Sequence, residues 1–220
     1  MRAVYDLEDA IHQRRSTRKF LPDKPVPREL VEEALELAIR APSNSNIQPW
    51  QVVFATGQAR NRLVKALLAE AQVSEPQIPA LPPQFEHHRF DVGAAVFGAL
   101  GIARDDGEAR RAVVLRNWEF FGAPLVGVVC LHRDLDHVDS MGVGMFLQTL
   151  ILALTARGVG TCTQVSIAGY PEVVHDQLGI PDDVRILCGL AIGYPDRDFP
   201  VNSLRTPRNP LRDNVVFCTD

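Results

Sequence analysis

Four cationic side chains and two hydroxyls lie within six consecutive residues near the amino terminus, in the sequence RRSTRK that begins at Arg14. An arginine side chain presents a planar fork of N–H donors that can hold a phosphate through two parallel hydrogen bonds, and hydroxyl groups add further donors. Leu7 and Ile11 recur at helical spacing just before this run. The run is therefore either a phosphate-binding segment or a solvated basic patch at the C-terminus of a helix, where cations are favourable.

A polar loop between Pro42 and Pro49 is rich in short amide and hydroxyl side chains, with the sequence PSNSNIQP. Such side chains, in a segment restricted by two prolines, suit hydrogen bonding to a flat heteroaromatic ring. The same residue types are also typical of capping and turn segments. The loop is therefore either a ligand-binding loop or a simple connection between a helix and the strand that begins at Trp50.

Two further segments carry weaker signals. The sequence GVGTCTQ, which begins at Gly158, follows an apolar helix, and its glycines allow a ligand to approach the backbone closely. It is not a dinucleotide-binding fingerprint, because it follows a helix and GxGxxG is incomplete. The alternative is a helix C-cap and turn. In the polar tail, Arg205 and Arg208 either bind phosphate or are merely solvated.

Hydrophobic patterning predicts the elements that must position these segments. An apolar, β-branched run at 50–55 predicts a strand, and continuous apolar runs at 124–131 and 184–193 predict buried strands. One helix begins at Pro27 and ends before Pro42, because a residue that precedes proline avoids the α region. Further helices are predicted at 57–73, 93–103, 106–121, 139–156 and 170–178, and the fourth of these is apolar all round, which predicts a deeply buried helix. Few strands separated by helices indicate an α+β or α/β domain with one central sheet.

The domain organisation is predicted to be simple. The chain has 220 residues, enough for one domain with a full core, and no second hydrophobic unit separates from the first, so 1–220 is predicted to be a single domain. Residues 74–92 contain four prolines and indicate a variable lid or insertion. Residues 197–220 form a polar tail with a strand-like apolar patch at 215–217, and this tail is predicted to contact another subunit.

Composition excludes several classes of protein. Hydrophobic residues make up 46% of the chain and charged residues 23%, which is typical of a folded globular protein. A net charge of −4 argues against a nucleic-acid partner. The amino terminus lacks the apolar core of a signal peptide, and no uncharged apolar run reaches membrane-spanning length, so no membrane partner is expected. The four cysteines never form CxxC, which favours ordinary thiols in a reducing cytoplasm.

Other chemistries find little support. His132 and His137, with acidic residues between them, fit no strong zinc-ligand spacing, so no metal is predicted. A hydrolase is poorly supported, because the chain has no GxSxG motif and Cys162 has no evident histidine partner. Five aromatic residues are candidates for a lid, although core packing explains each of them more simply: Phe85, Phe90, Trp118, Phe120 and Phe121.

The chain resembles the nitroreductase family over nearly its whole length. The resemblance rests on RRSTRKF near residue 14, APSNSNIQPW at 41–50, GVGTC at 158–162, IGYP at 192–195 and the arginine-bearing tail. It is strongest to the shorter members that reduce nitrobenzoate and other nitroaromatics. The resemblance implies an α+β fold of three layers, α/β/α, with a central mixed, mostly antiparallel sheet and a C-terminal tail exchanged across a homodimer.

The resemblance also implies an FMN cofactor at the dimer interface, contacted by both subunits. Its phosphate and ribityl chain would be held by the cationic segment and the tail, through Arg14, Ser16, Arg18, Arg205 and Arg208. Arg15 would add backbone or ring-edge contacts. A dianionic phosphate needs about two cations and several donors, which this set provides.

Two further segments would contact the flavin ring. Pro42, Ser43, Asn44 and Asn46 would come from the partner subunit. The segment Thr163, Gln164 and Val165 would place a backbone N–H, from one of the last two residues, near flavin N5. The sequence departs here from the Pro-x-Glu-Gly pattern of some relatives, which leaves the choice of donor open.

The activity implied by the resemblance is FMN-dependent oxidation of NADH or NADPH, with reduction of a nitroaromatic or another flat, electron-poor acceptor such as a quinone. The cycle would be ping-pong. No catalytic side chain is expected, because the cofactor carries the hydride and the protein binds and orients it. Alternatives on the same scaffold are alkene reduction, reductive dehalogenation, fragmentation of the flavin, or a non-enzymatic flavin-binding role.

Overall fold

The structure is a computed structural model that describes residues 6–219. The helices are α1 (Leu7–Gln13), α2 (Arg28–Ala38), α3 (Gly57–Val73), α4 (Glu86–Ala99), α5 (Gly107–Leu115), α6 (His137–Ala156) and α7 (Pro171–Leu178). The strands are β1 (Gln51–Thr56), β2 (Leu125–His132), β3 (Gly160–Gln164) and β4 (Val184–Gly193). Short 3-10 turns follow several of these elements, among them residues 44–46, 120–122 and 165–169.

The strands form one sheet in the order β1-β2-β4-β3, and all three pairings are antiparallel. At the free edge of β3, Ser16 forms an isolated parallel bridge with Thr161. The prediction of a central mixed, mostly antiparallel sheet is therefore confirmed. The bridge also places the cationic segment beside β3.

Side-chain alternation along β2 divides the core into two halves. Val126 and Val128 belong to one buried cluster, which contains residues of α3 and α7. Val129 and Leu131 belong to the other cluster, which contains residues of α2 and α6. Since successive strand residues point to opposite faces, helices cover both faces of the sheet. The predicted three-layer α/β/α arrangement is confirmed.

Helix α6 differs from the prediction that it is deeply buried. Phe146 and Leu150 are buried in the core, but Met141 is 62% exposed and Met145 41%. By length and composition this helix could cross a membrane, and 39% of its most apolar window is buried in the fold. It packs against α1, α2 and β3. It is therefore a core helix with one uncovered apolar face.

Three local predictions were wrong for physical reasons. No strand was predicted within 158–164, which was interpreted as a ligand-binding segment or a helix C-cap and turn, but 160–164 form an edge strand whose glycine and threonines give no apolar run. Helix α5 ends at Leu115 rather than 121: turns follow at 116–119, and Phe120 and Phe121 have left-handed φ angles of 51° and 55° that a continuing α-helix excludes. Irregular structure was predicted up to residue 90, but a 3-10 turn begins at Pro83 and α4 at Glu86.

We predict that Gly189→Ala destabilises the fold. A Cβ at this position of β4 would lie 2.4 Å from Cγ1 and 2.9 Å from Cβ of Ile167, and 3.0 Å from the Phe120 ring. Such overpacking costs about 1–3 kcal/mol of unfolding free energy, which urea denaturation at fixed protein concentration would measure. Gly98→Ala is the control: its Cβ meets nothing within 4 Å, so it should be neutral or stabilising by up to about 1 kcal/mol. Equal midpoints for the two variants would contradict the packing described here.

Candidate functional site

The cationic segment is extended and lies against the edge of β3. The Thr17 N–H donates to the Thr161 carbonyl at 2.9 Å, and the Thr17 side chain is buried. In an extended chain, residues two apart point the same way, so Arg14, Ser16 and Arg18 share the opposite, half-buried side. At about 3.3 Å per residue, the Cα atoms of Arg14 and Arg18 are roughly 13 Å apart. The segment thus presents two guanidinium groups and a hydroxyl in a row.

Arg15 points away from this row. Its Nε donates to the Gln13 carbonyl and its Nη1 to the Asn202 carbonyl, both at 3.2 Å. Its guanidinium is therefore engaged by the chain itself. A ring-edge contact through this side chain would require breaking those bonds, so the structure favours a backbone role for Arg15.

A cavity of about 360 Å³ brings the first and third predicted segments together. Its walls include Arg14 and Arg15 on one side and Gly158 and Gly160 on the other, with Thr155 of α6. Glycine is required at position 160, because a Cβ there would lie 2.6 Å from the Thr17 hydroxyl. The close approach of the two segments thus depends on that glycine.

The tail supplies a third guanidinium to the same region. Arg205 donates to the His12 carbonyl and to the Gln13 side chain at the end of α1, next to Arg14. Arg208 instead donates to the carbonyls of Thr206 and Pro207 within the tail. Of the two predicted tail residues, the structure therefore brings Arg205, and not Arg208, beside the cationic segment.

The turn after β3 is fixed by hydrogen bonds to Asn117 and Trp118, which the sequence did not assign to this turn. Gln164 is only 3% exposed, and its Nε2 donates to the Asn117 carbonyl at 2.7 Å. The Trp118 indole N–H donates to the Ser166 carbonyl at 3.2 Å. Within the described residues, Oε1 of Gln164 and Oγ of Ser166 are buried without a hydrogen-bond partner. Thr163 and Val165, on either side of Gln164, are exposed.

The polar loop is exposed and strained. Ser45, Asn46 and Gln48 adopt left-handed φ angles of 48°, 57° and 50°. Strain of this kind in non-glycine residues concentrates at binding sites. The Gln48 N–H donates to the Ser43 hydroxyl at 3.0 Å, which closes the loop. Its amide and hydroxyl groups are thus fixed in place and face solvent.

Pro42, Ser43, Asn44 and Asn46 lie far from the cationic segment of the same chain. Ser43 and Pro49 pack on α6 at Gly142, where a Cβ would meet each of them at 3.3 Å. The cavity beside Arg14 touches α6 at Thr155. With a rise of 1.5 Å per residue, these two positions on the helix are about 20 Å apart. One chain therefore does not bring the two predicted halves of the site together.

Known proteins are similar to this chain in sequence and in geometry. The model of the Nitroreductase family matches residues 11–194. The chain belongs to this family. It is 35% identical to the 4-nitrobenzoate reductase of Pseudomonas putida over 217 residues, which cover 96% of this chain and 95% of the relative. It is 36% identical to the nitroreductase NfnB of Mycolicibacterium smegmatis, covering 96% and 92%.

Solved structures agree with this assignment. The chain superposes with a TM-score of 0.93 on an FMN- and NADPH-dependent nitroreductase NfnB from Sphigopyxis sp. strain HMH, at 34% identity, covering 98% of this chain and all of the other. The TM-score is 0.88 for the FMN-dependent NfnB of Mycobacterium smegmatis in complex with NADPH, at 33% identity, covering 97% and 100%. The nitroreductase fold is thus confirmed over almost the full chain.

The remaining candidates from the sequence divide clearly. Trp118, Phe120 and Phe121 are buried in the core, whereas Phe85 and Phe90 are exposed. His132 lies near Asp134 and Asp183, but no three His, Cys, Asp or Glu side chains of the described residues are arranged so that they could hold a metal ion.

Asn202, a buried residue with no sequence signal, was missed. It binds the backbone of the cationic segment, 183 residues away.

The cysteines are unsuited to nucleophilic catalysis, and a thiol titration tests this. Burial raises the pKa of Cys130 and Cys162 to about 11 and that of Cys188 to about 12. At pH 8 the reactive thiolate is therefore about 0.1% of each buried thiol or less. Native protein should react rapidly with Ellman's reagent at one thiol, the exposed Cys218, and at all four cysteines after denaturation. Cys218→Ser should abolish the fast phase, and a fast thiol in that variant would refute the assignment.

Proposed function

We propose that this nitroreductase-family protein is an FMN-dependent NAD(P)H oxidoreductase that reduces nitroaromatics and similar flat, electron-poor acceptors, including quinones. The observation that carries the proposal is the row of Arg14, Ser16 and Arg18 on an extended segment beside the turn after β3. Two relatives at 33% and 34% identity are named as FMN-dependent nitroreductases, and one of them was solved in complex with NADPH.

The donor set fits FMN. A phosphate requires clustered cations, and Arg14 and Arg205 lie together at the end of α1. Ser16, next along the row, would bind the ribityl hydroxyls, and Arg18 would lie at the ring end. Oε1 of Gln164, which is buried without a hydrogen-bond partner, would accept a hydrogen bond from a donor on the ligand. Arg208 would have to leave its bonds within the tail to reach the phosphate.

Bound FMN would supply the hydride chemistry, accepting two electrons from NADH or NADPH and passing them to the acceptor in a ping-pong cycle. The protein's own residues bind and orient. The backbone N–H of Gln164 or Val165 would donate a hydrogen bond to flavin N5. Asn117 and Trp118 fix the turn that carries it. Acid–base groups are not needed from the protein, because the cofactor performs the redox step.

A homodimer would complete the site. Met141 and Met145 of α6 are exposed, and so are Leu7 and Ile11 of α1, which packs on α6. The strained loop at 42–46 lies about 20 Å along α6 from the cavity beside Arg14, so the loop of a second copy would contact the ring from the other side. Val216 and Phe217 of the tail, each 82% exposed, would be covered by that copy.

We also propose that residues 1–220 form a single domain, with a variable lid near 74–92 and a tail from 197 that embraces the partner. A cytoplasmic location is proposed as well. It is supported by the cysteines, which are all free thiols, as is usual in a reducing compartment.

The visible absorption spectrum of the purified protein tests the function directly. Two flavin bands, bleached by anaerobic NADPH or NADH and restored by a nitroaromatic, are expected. A colourless protein that stays colourless after incubation with FMN would refute the proposal. Recovery only with an alkene, a halogenated aromatic or oxygen would reassign the reaction on the same site, and bleaching by neither nicotinamide would indicate a flavin-binding protein without this activity.

We predict that Arg14→Ala weakens FMN binding about tenfold or more, because each charge-assisted bond to a phosphate contributes roughly 1.5–3 kcal/mol. Quenching of flavin fluorescence on titration of the apoprotein measures the dissociation constant. Arg28→Ala, which removes an exposed arginine paired with Glu32 on α2, is the matched control and should bind FMN normally. Equal FMN affinity in the two variants would show that Arg14 does not bind FMN.

We predict that Met141→Asp dissociates the dimer and lowers FMN affinity, because it places a charge in an apolar interface. Light scattering after size exclusion should give twice the chain mass of 24.3 kDa for the wild type and the chain mass for the variant. Val73→Asp changes an equally apolar, exposed residue at the end of α3 and should remain dimeric. A monomeric wild type would contradict the shared site.

A further inference from the structure

The presentation of Arg18 depends on contacts outside the cationic segment. We propose that Asn202 is a positioning residue for flavin binding, which acts by fixing the backbone at Arg18 and thereby the direction of the Arg18 guanidinium. The inference rests on the proposed function, because it gives the Arg18 side chain a ligand. Arg18 itself is half-buried, and both of its backbone polar groups are bonded to other parts of the chain.

The Asn202 side chain is almost fully committed to this backbone. It is 6% exposed. Its Oδ1 accepts from the Arg18 N–H at 2.7 Å, and its Nδ2 donates to the carbonyls of Lys19 at 2.7 Å and Asp196 at 2.8 Å. An amide offers two donors and one carbonyl, and both donors are used here. One buried amide thus ties the segment to the chain that leaves β4.

Arg116 holds the other side of the same residue. Its Nη2 donates to the Arg18 carbonyl at 2.9 Å, and its guanidinium lies 4.7 Å from the centre of the Phe199 ring. Partial burial lowers the pKa of Arg116 from its usual value. The N–H of Arg18 is therefore fixed by Asn202 and its carbonyl by Arg116, which leaves the residue little freedom about its own backbone.

Asn202 also fixes the opposite face of the segment. Its backbone carbonyl accepts from Nη1 of Arg15 at 3.2 Å. Arg15 and Arg18 are thereby oriented in different directions by the same residue. Because groups that orient a ligand-binding side chain typically affect affinity as much as a direct contact, loss of the amide should be visible in ligand binding and not only in stability.

The test is a double-mutant cycle between Asn202→Ala and Arg18→Met, with FMN affinity of the apoprotein as the readout. Asn202→Ala alone should raise the FMN dissociation constant about tenfold. In the Arg18→Met background it should change the constant by less than about twofold, because a residue that acts through Arg18 has nothing left to position. Additive effects, or unchanged affinity in Asn202→Ala, would overturn the inference.

Two controls separate positioning from general loss of stability. Tyr170→Phe removes a different buried hydrogen bond, from the Tyr170 hydroxyl to the Ser74 carbonyl at 2.8 Å, and should lower stability without changing FMN affinity. Arg116→Lys keeps the charge but loses the planar fork, and should give the Asn202→Ala phenotype more weakly. It replaces Asn202→Ala in the cycle if that variant does not fold.

A second readout is the midpoint potential of bound FMN. A cation directed at the ring end stabilises negative charge on the reduced ring, so Asn202→Ala should shift the potential to a more negative value, and Tyr170→Phe should not. Failure of the wild type to bind FMN would overturn the proposed function together with this inference. Tight binding by the wild type, with the same affinity and potential in Asn202→Ala, would overturn the inference alone.

Discussion

The pairing of residues 14–18 with the edge of β3 is the constraint on which the candidate site depends. The bond from the Thr17 N–H to the Thr161 carbonyl holds the segment extended. Extension makes side chains alternate, so burial of Thr17 forces Arg14 and Arg18 to the opposite side. A helical segment would scatter these groups around its axis. One backbone pairing therefore places two guanidinium groups and a hydroxyl in an ordered row, the arrangement that we propose binds FMN.

The close approach behind this pairing is supplied by glycines. A Cβ on Gly160 would meet Thr17, and a Cβ on Gly193 would lie 2.9 Å from the Phe20 ring and 2.8 Å from Pro124. Gly160 and Gly193 are also paired with each other across β3 and β4. The end of the sheet is thus narrow because both strands lack side chains there. The cationic segment occupies the space that these glycines leave. Asn202, in the tail after β4, then hydrogen-bonds to the backbone of that segment.

Sequence patterning predicted the layers and the chemistry better than the contacts between distant segments. Apolar runs revealed β1, β2 and β4, because side chains of these strands pack against helices on both faces of the sheet. Strand β3 was missed since an edge strand of glycine, threonine and cysteine has no such run. Local periodicity also does not reveal that Phe120 and Phe121 turn the chain. Asn202 was not predicted for a different reason: its partners in the cationic segment, Arg18 and Lys19, are more than 180 residues away, and no local pattern distinguishes it from a turn residue.

The turn after β3 and helix α4 differ in how tightly they are packed. Trp118 and Phe120 are buried in the core, and the Trp118 indole bonds to the turn after β3, so that turn is supported by the core. Helix α4 has no fully buried residue, and Phe85 and Phe90 beside and within it are exposed. Surface elements with few packed side chains tolerate change more readily than core elements do. The turn after β3, which we propose contacts the flavin, therefore rests on a packed core, whereas the sequence of α4 can vary without disturbing that turn.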